Sequence, residues 1–227
     1  EEAQGQEFMA VKPWIGQIAE PAEHNEANAD KPDETYALEY CYGYRSQDSR
    51  QNVYFNKDSQ VTYMTAALGV ILDTGSNTQK FFGGGEADDS RRKARGEMDC
   101  HNDDIMSLAM SCDGSFAVTG QRGSVPLIFV WDAVTGEKKQ RAVLNKGAAG
   151  LKCVSISADM KRFAAVDMSN DHNVYVFDCE SGNQMYKQKG DGNKIYDITF
   201  SGVSGDYKMC TVGSKHCKFW DFGGSRD

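Results

Sequence analysis

The sequence predicts an all-β chain, a β-propeller of the WD-repeat type whose ring is incomplete. Two observations carry this reading: a strand pattern that occurs four times, and an aromatic–Asp pair that closes three of the copies at a near-constant interval. The stretches HNDDIMSLAMSCDGSFAVTGQRGSVPLIFVWDAVTG, AAGLKCVSISADMKRFAAVDMSNDHNVYVFDCESG and GNKIYDITFSGVSGDYKMCTVGSKHCKFWDFGG align with one another. Each opens on alternating apolar positions, Leu108/Met110, Val154/Ile156 and Ile198/Phe200, and a period of two means one buried face. Each closes on Trp131-Asp132, Phe177-Asp178 or Trp220-Asp221, with the aspartates 46 and 43 residues apart. A four-stranded propeller blade repeats at about 40 to 45 residues.

A weaker copy comes first. Val53/Phe55 take the alternating positions, Asp58 matches the turn acids Asp113 and Asp159, and Leu72-Asp73 stands in place of the aromatic–Asp pair. Asp73 lies 59 residues before Asp132 because GGGEADDSRRKARGEMD is inserted between them; without those 17 residues the period is restored. The organisation expected is an acidic leader and linker over 1–34, a lead-in and degenerate first blade over 35–82, an inserted flexible loop over 83–100, and blades over 101–227, the last one incomplete. Strands are expected near 52–55, 61–65, 68–72, 105–110, 116–119, 127–131, 152–157, 163–166, 173–177, 195–200, 208–212 and 216–220. The alternation of Tyr36, Leu38, Tyr40, Tyr42 and Tyr44 predicts a further strand, completing a blade whose other strands lie elsewhere in a longer protein. Because a four-stranded sheet cannot bury both faces alone, Trp131, Phe177 and Trp220 are expected between blades, as structural residues with Asp132, Asp178 and Asp221.

Composition narrows the function classes. Of 227 residues, 40% are hydrophobic and the net charge is −8. The first 40 residues hold ten acids against Lys12 and Lys31, and the remaining 187 hold 23 charges of each sign. An acidic leader on a neutral body argues against nucleic acid as a partner. The longest nearly apolar run, Val61 to Leu72, falls short of the roughly 18 residues of a membrane span, so no membrane partner is expected. Seven cysteines occur singly and never as CxxC, the pattern of reduced, buried thiols in the cytoplasm. The opening Glu-Glu-Ala-Gln, without Met or signal pattern, reads as an internal piece of something longer.

Catalytic patterns are missing. Gly83-Gly84-Gly85 is followed by no Lys-Ser/Thr, there is no GxSxG, and His24, His101, His172 and His216 have no metal-ligand spacing. Cys100-His101 with Cys112 offers three ligands without paired spacing, and His101 reads instead as a turn residue between blades. No enzyme, cofactor or metal site is expected. The candidate partner-binding residues are cationic. Arg45 and Arg50 flank Asp48, where a planar guanidinium suits a fixed carboxylate and would pin the lead-in to a blade, or else meet a partner. Arg91, Arg92, Lys93 and Arg95 form a basic knot in the inserted loop, blunted by Glu86, Asp88, Asp89, Glu97 and Asp99.

The ordered set LEYCYGYRSQDSRQNVYF (38–55), ALGVILDTGSNTQKFF (67–82) and HNDDIMSLAM (101–110) resembles the HELP motif and first blades of the echinoderm microtubule-associated protein-like family. EFMAVKPWIGQI (7–18) is similar to the run preceding that motif in members with tandem units. The resemblance covers about residues 7–222 and implies that 35–82 is a HELP motif with the first blade of a tandem atypical propeller. It also implies a non-enzymatic scaffold binding tubulin, microtubules or microtubule-associated proteins, in the cytoplasmic cytoskeleton or the ciliary axoneme, with the remainder of its own propeller as an intramolecular partner. The repeat alone equally allows a WD-repeat scaffold or substrate adaptor without tubulin contact. A partial ring leaves blade faces uncovered, so the isolated 227-residue chain is expected to self-associate. Sedimentation velocity checks this, and a monomer with a sharp, high thermal transition would contradict it.

Overall fold

The computed structural model describes residues 36–84 and 98–222, with residues 22, 23, 26, 30, 33 and 34 before them. The chain falls into two units, 1–35 and 36–227, and all the strands lie in the second. Among the described residues every regular element is a strand. Fifteen strands form four antiparallel meanders: β1(Val53–Phe55) to β4(Thr78–Phe82), β5(Ile105–Met110) to β8(Lys138–Val143), β9(Leu151–Ile156) to β12(Gln184–Gln188), and β13(Ile195–Phe200) to β15(His216–Asp221). The four blades stack in chain order without closing a ring. The first strands of the last three blades are innermost, β9 touching both β5 and β13, and the first blade meets β5 through β2.

All twelve expected strands are present, and the outer strands β4, β8 and β12 are additions. Sequence reasoning passes over them because β8 and β12 are largely exposed edges with no apolar alternation, and β4 opens on polar Thr78-Gln79-Lys80 before its buried Phe82. Residues 36–46 form no ladder among the described residues, and the strands expected to pair with this tyrosine run lie outside the chain. Gly43 takes φ +85°, which breaks the extended run. The backbone of Cys41 instead donates to and accepts from the Gln79 side-chain amide on β4. The thiols also differ from expectation, since Cys153 is buried while Cys112 and Cys217 are exposed.

Three apolar cores fill the spaces between blades. Trp131 on β7(Leu127–Asp132) packs with Met64, Ile71 and Phe82 of the first blade, stacked on the Phe82 ring at 5.2 Å. Phe177 on β11(Val174–Asp178) packs with Val118 and Val130 of the second blade. Trp220 packs with Ala164, Val166, Val174 and Val176 of the third. All three are at most 5% exposed. Flat partners let the sheets approach. A Cβ added to Gly69 would sit 2.7 Å from the Trp131 ring, and one at Gly120 would sit 2.4 Å from Leu151. The two outermost faces of the arc are only partly covered, with Phe55 72% and Phe219 79% exposed.

The aspartates closing the third strands hold turns. Asp132 accepts the N–H groups of Val134 and Thr135, and Asp178 those of Glu180 and Ser181. Asp73 does the same for Gly75 and Ser76 in the first blade, despite its missing aromatic neighbour. Asp221 ends β15, paired in register with Lys208. Trp131→Ala should destabilise the fold by roughly 3 to 5 kcal/mol, the usual cost of truncating a large buried aromatic. Urea denaturation measures this, and partner binding should fall only in step with the folded fraction.

Candidate functional site

Among the described residues, the non-strand segment Arg45–Asn52 makes hydrogen bonds that reach several blades. The Arg45 N–H donates to the carbonyl of Met64 on β2(Val61–Thr65), 3.1 Å away, so the turn starts on the first blade. The turn itself is closed by the Ser49 hydroxyl and the Asn52 side-chain amide, both donating to the Arg45 carbonyl. The Arg45 guanidinium donates twice to Asp48, at 2.7 Å each, and once to Asp104 just before the second blade, at 2.8 Å. With its side chain only 11% exposed, this fork is fixed on both carboxylates. The hydrogen bonds with Asp48 raise the Arg45 pKa above its ordinary value, and those from Arg45 lower that of Asp48.

The other end of the segment reaches the last two blades. Lys152 on β9 donates to the Asp48 carbonyl at 3.4 Å. The Gln51 amide donates to Asp197 on β13 at 2.8 Å, and the Arg50 guanidinium lies 4.7 Å from the centre of the Tyr196 ring. Burial pushes the Asp197 carboxyl up, against the opposing hydrogen bonds of Ile198 and Gln51 and the charge of Arg50. One short segment thus touches all four blades. Arg45 is spent within this junction, whereas Arg50 rests on a ring face. Arg91, Arg92, Lys93 and Arg95 lie outside the described residues.

A second set of polar residues escapes sequence reasoning. Trp131 Nε1–H donates to Thr119, whose hydroxyl is 2.8 Å from His101 Nε2; His101 Nδ1 is 2.8 Å from the Gln121 side-chain oxygen. That oxygen only accepts, so Nδ1 carries the hydrogen and Nε2 accepts from Thr119. The fourth blade repeats the relay as Trp220, Thr211, His216 and Asp191. The signal lies at the fourth position of each second strand, which reads Thr119, Ala165 and Thr211. A hydroxyl stands where the neighbouring third strand carries Trp, and Ala where it carries Phe177, which has no N–H to satisfy. His101 lies in the connection between the first and second blades, flanked by bends, and both its ring nitrogens are used. Among the described residues no group of three His, Cys, Asp or Glu side chains could hold a metal.

Comparison with known proteins fits this architecture. Residues 31–70 match the HELP motif and residues 92–132 match the WD domain, G-beta repeat. The chain is 47% identical over 220 residues to the ciliary WD repeat-containing protein ctxp80 of Euplotoides octocarinatus, covering 96% of this chain and 31% of that protein. It is 30% identical to echinoderm microtubule-associated protein-like 3 of Mus musculus, covering 85% of this chain and 22% of that protein. This is a HELP-motif WD-repeat protein, related to the echinoderm microtubule-associated protein-like family. The chain spans less than a third of the length of these relatives. A chain in the crystal structure of the mitotic checkpoint complex superposes with a TM-score of 0.58 at 13% identity, covering 90% of this chain and 58% of that one, which shows the shared fold alone.

In this HELP-motif protein the matched motif contains the Arg45–Asn52 junction together with β1 and β2. The WD match ends on Asp132, the residue that closes the turn after Trp131. The second-blade relay also sets an acid limit on the fold. Burial depresses His101 from 6.5 to about 4, with Gln121 opposing the shift. Below pH 6.5 the unfolded chain takes up a proton that the folded chain refuses, so stability falls as pH drops from about 6.5 towards 4. Chemical denaturation at steps across this range should show the decline, and His101→Gln should flatten it. An unchanged slope in that variant would remove His101 as the cause.

Proposed function

We infer that this chain is part of a microtubule-associated WD-repeat scaffold, non-enzymatic, which holds tubulin or microtubule-associated proteins on the cytoskeleton, and on axonemal microtubules in ciliated cells. The observation that carries the reading is the ordered HELP motif and WD repeat, together with 47% identity to a ciliary WD-repeat protein over 96% of the chain. The repeated aromatic–Asp strands and the junction at Arg45–Asn52 support a rigid platform, which suits binding and offers no catalytic constellation. The uncovered faces around Phe55 and Phe219 suit further blades of the same propeller as an intramolecular partner.

Charge decides how such a platform would hold a microtubule, whose outer surface is strongly acidic. Residues 41–227 carry balanced charge and the first 40 are at −8, so long-range attraction does not drive binding by this part of the molecule. Contacts are then shape-matched, with Arg91, Arg92, Lys93 and Arg95 adding at most a screened term. Co-pelleting a parent protein containing this region with microtubules across a salt series tests the reading. Affinity should fall weakly with salt, and deletion of residues 84–99 should have a small effect. Absence of pelleting would refute the microtubule reading, whereas steep salt dependence that vanishes with the loop would make the basic knot the principal contact.

A further inference from the structure

Between the third and fourth blades lies a recess of about 210 Å³ lined by Lys152, Met168, His172, Lys194 and Ile195. Its walls are β9, the loop between β10(Arg162–Asp167) and β11, and the start of β13. It is therefore built entirely from two blades already packed through Trp220. The lining combines an apolar surface with cations. Ile195 is buried, and Met168 is left 37% exposed. Lys152 also lines an adjoining depression with Arg50, Tyr196 and Asp197, so Arg50, Lys152 and Lys194 stand around neighbouring hollows.

Among the described residues none of these three cations is in an ion pair. Lys152 makes one long bond to the Asp48 carbonyl, and Arg50 rests on a ring face. The surrounding carboxylates are already engaged: Asp48 by Arg45, Asp171 by Lys189, Asp191 by His216 and Asn193, and Asp197 by Gln51. His172 is held rigidly in the wall. Its backbone has φ +44°, a conformation that a bulky residue keeps only where the surroundings impose it, and its Nδ1 is 2.9 Å from the Asp191 carbonyl.

The geometry points to this recess as a binding site for a glutamate side chain on an acidic polypeptide segment. The methylene stem would lie on the exposed Met168 side chain while the carboxylate meets Lys152 and Lys194, and Arg50 would take an adjacent acid. Two lysine point charges accept any small anion, and the exposed Met168 beside them suits an anion carried on methylenes over a free phosphate. A recessed carboxylate–lysine contact is also screened less than one on the open surface. The site goes beyond the microtubule reading and stands for any partner with an exposed acidic segment.

The test uses the parent protein and a fluorescein-labelled, glutamate-rich peptide read by anisotropy, with a glutamine-rich peptide of equal length as control. The glutamate peptide should bind and the glutamine peptide should not. Lys152→Gln/Lys194→Gln should weaken binding by about tenfold or more, the scale of a charge-assisted hydrogen bond. Lys57→Gln/Lys208→Gln, which removes equal charge away from the recess, should leave it unchanged. Met168→Glu places a carboxylate in the recess from an exposed position and should also block the peptide. Thermal midpoints establish that each variant is folded. Equal binding of the two peptides, equal loss in both lysine pairs, unimpaired binding by Met168→Glu, or displacement by inorganic phosphate at peptide-like concentrations would overturn the proposal.

Discussion

A four-stranded sheet with apolar side chains on both faces cannot stand alone in water, and this constraint organises the chain. Each blade is stable only as a neighbour. The side chain that joins each pair comes from the third strand, and Trp131, Phe177 and Trp220 each enter the core against the preceding blade. Close approach matters as much as bulk. Where Gly69 meets the Trp131 ring and Gly120 meets Leu151, a single added Cβ would clash and push the sheets apart.

Burying an indole brings a polar obligation with it. The N–H of Trp131 or Trp220 cannot be left without an acceptor, and a threonine on the adjacent strand supplies one. That hydroxyl must itself be oriented, and a histidine beyond it does so in both blades. The third blade, with Phe177, needs no such relay, and its buried acid Asp167 serves Ser169, Asn173 and Tyr175 instead. One apolar choice, Trp or Phe, thus dictates the polar chemistry of the whole blade interior.

The HELP segment solves a different problem. Blades stacked side by side constrain nearest neighbours only, and nothing in that arrangement ties the first blade to the last. Arg45–Asn52 does so through four unlike contacts: a backbone bond to Met64, a fork on Asp48 and Asp104, the Lys152 bond, and an amide on Asp197. The segment thereby fixes the spacing of the blades it touches, which nearest-neighbour stacking alone does not.

The inner three strands of each blade are legible in the sequence because apolar runs between turn signals and the aromatic–Asp pair are local patterns, although most of these strands are buried on both faces and not on one. The outer strands β4, β8 and β12 are not, because their exposed polar positions leave no apolar period in the sequence. Arg45 can be read as a local fork on Asp48, three residues away, but its bond to Asp104 spans 59 positions. The anchoring of the tyrosine run is hidden for the same reason, since the Cys41 backbone meets the Gln79 amide, a side chain from a distant strand. By itself the sequence determined the repeat, the fold class and the residues between blades, because burial and turn chemistry act within a few residues. Only the tertiary structure decided that Lys152, His172 and Lys194 share one recess and that the HELP segment reaches Asp197. Stacking brings together residues from different blades whose positions along the chain bear no relation to one another.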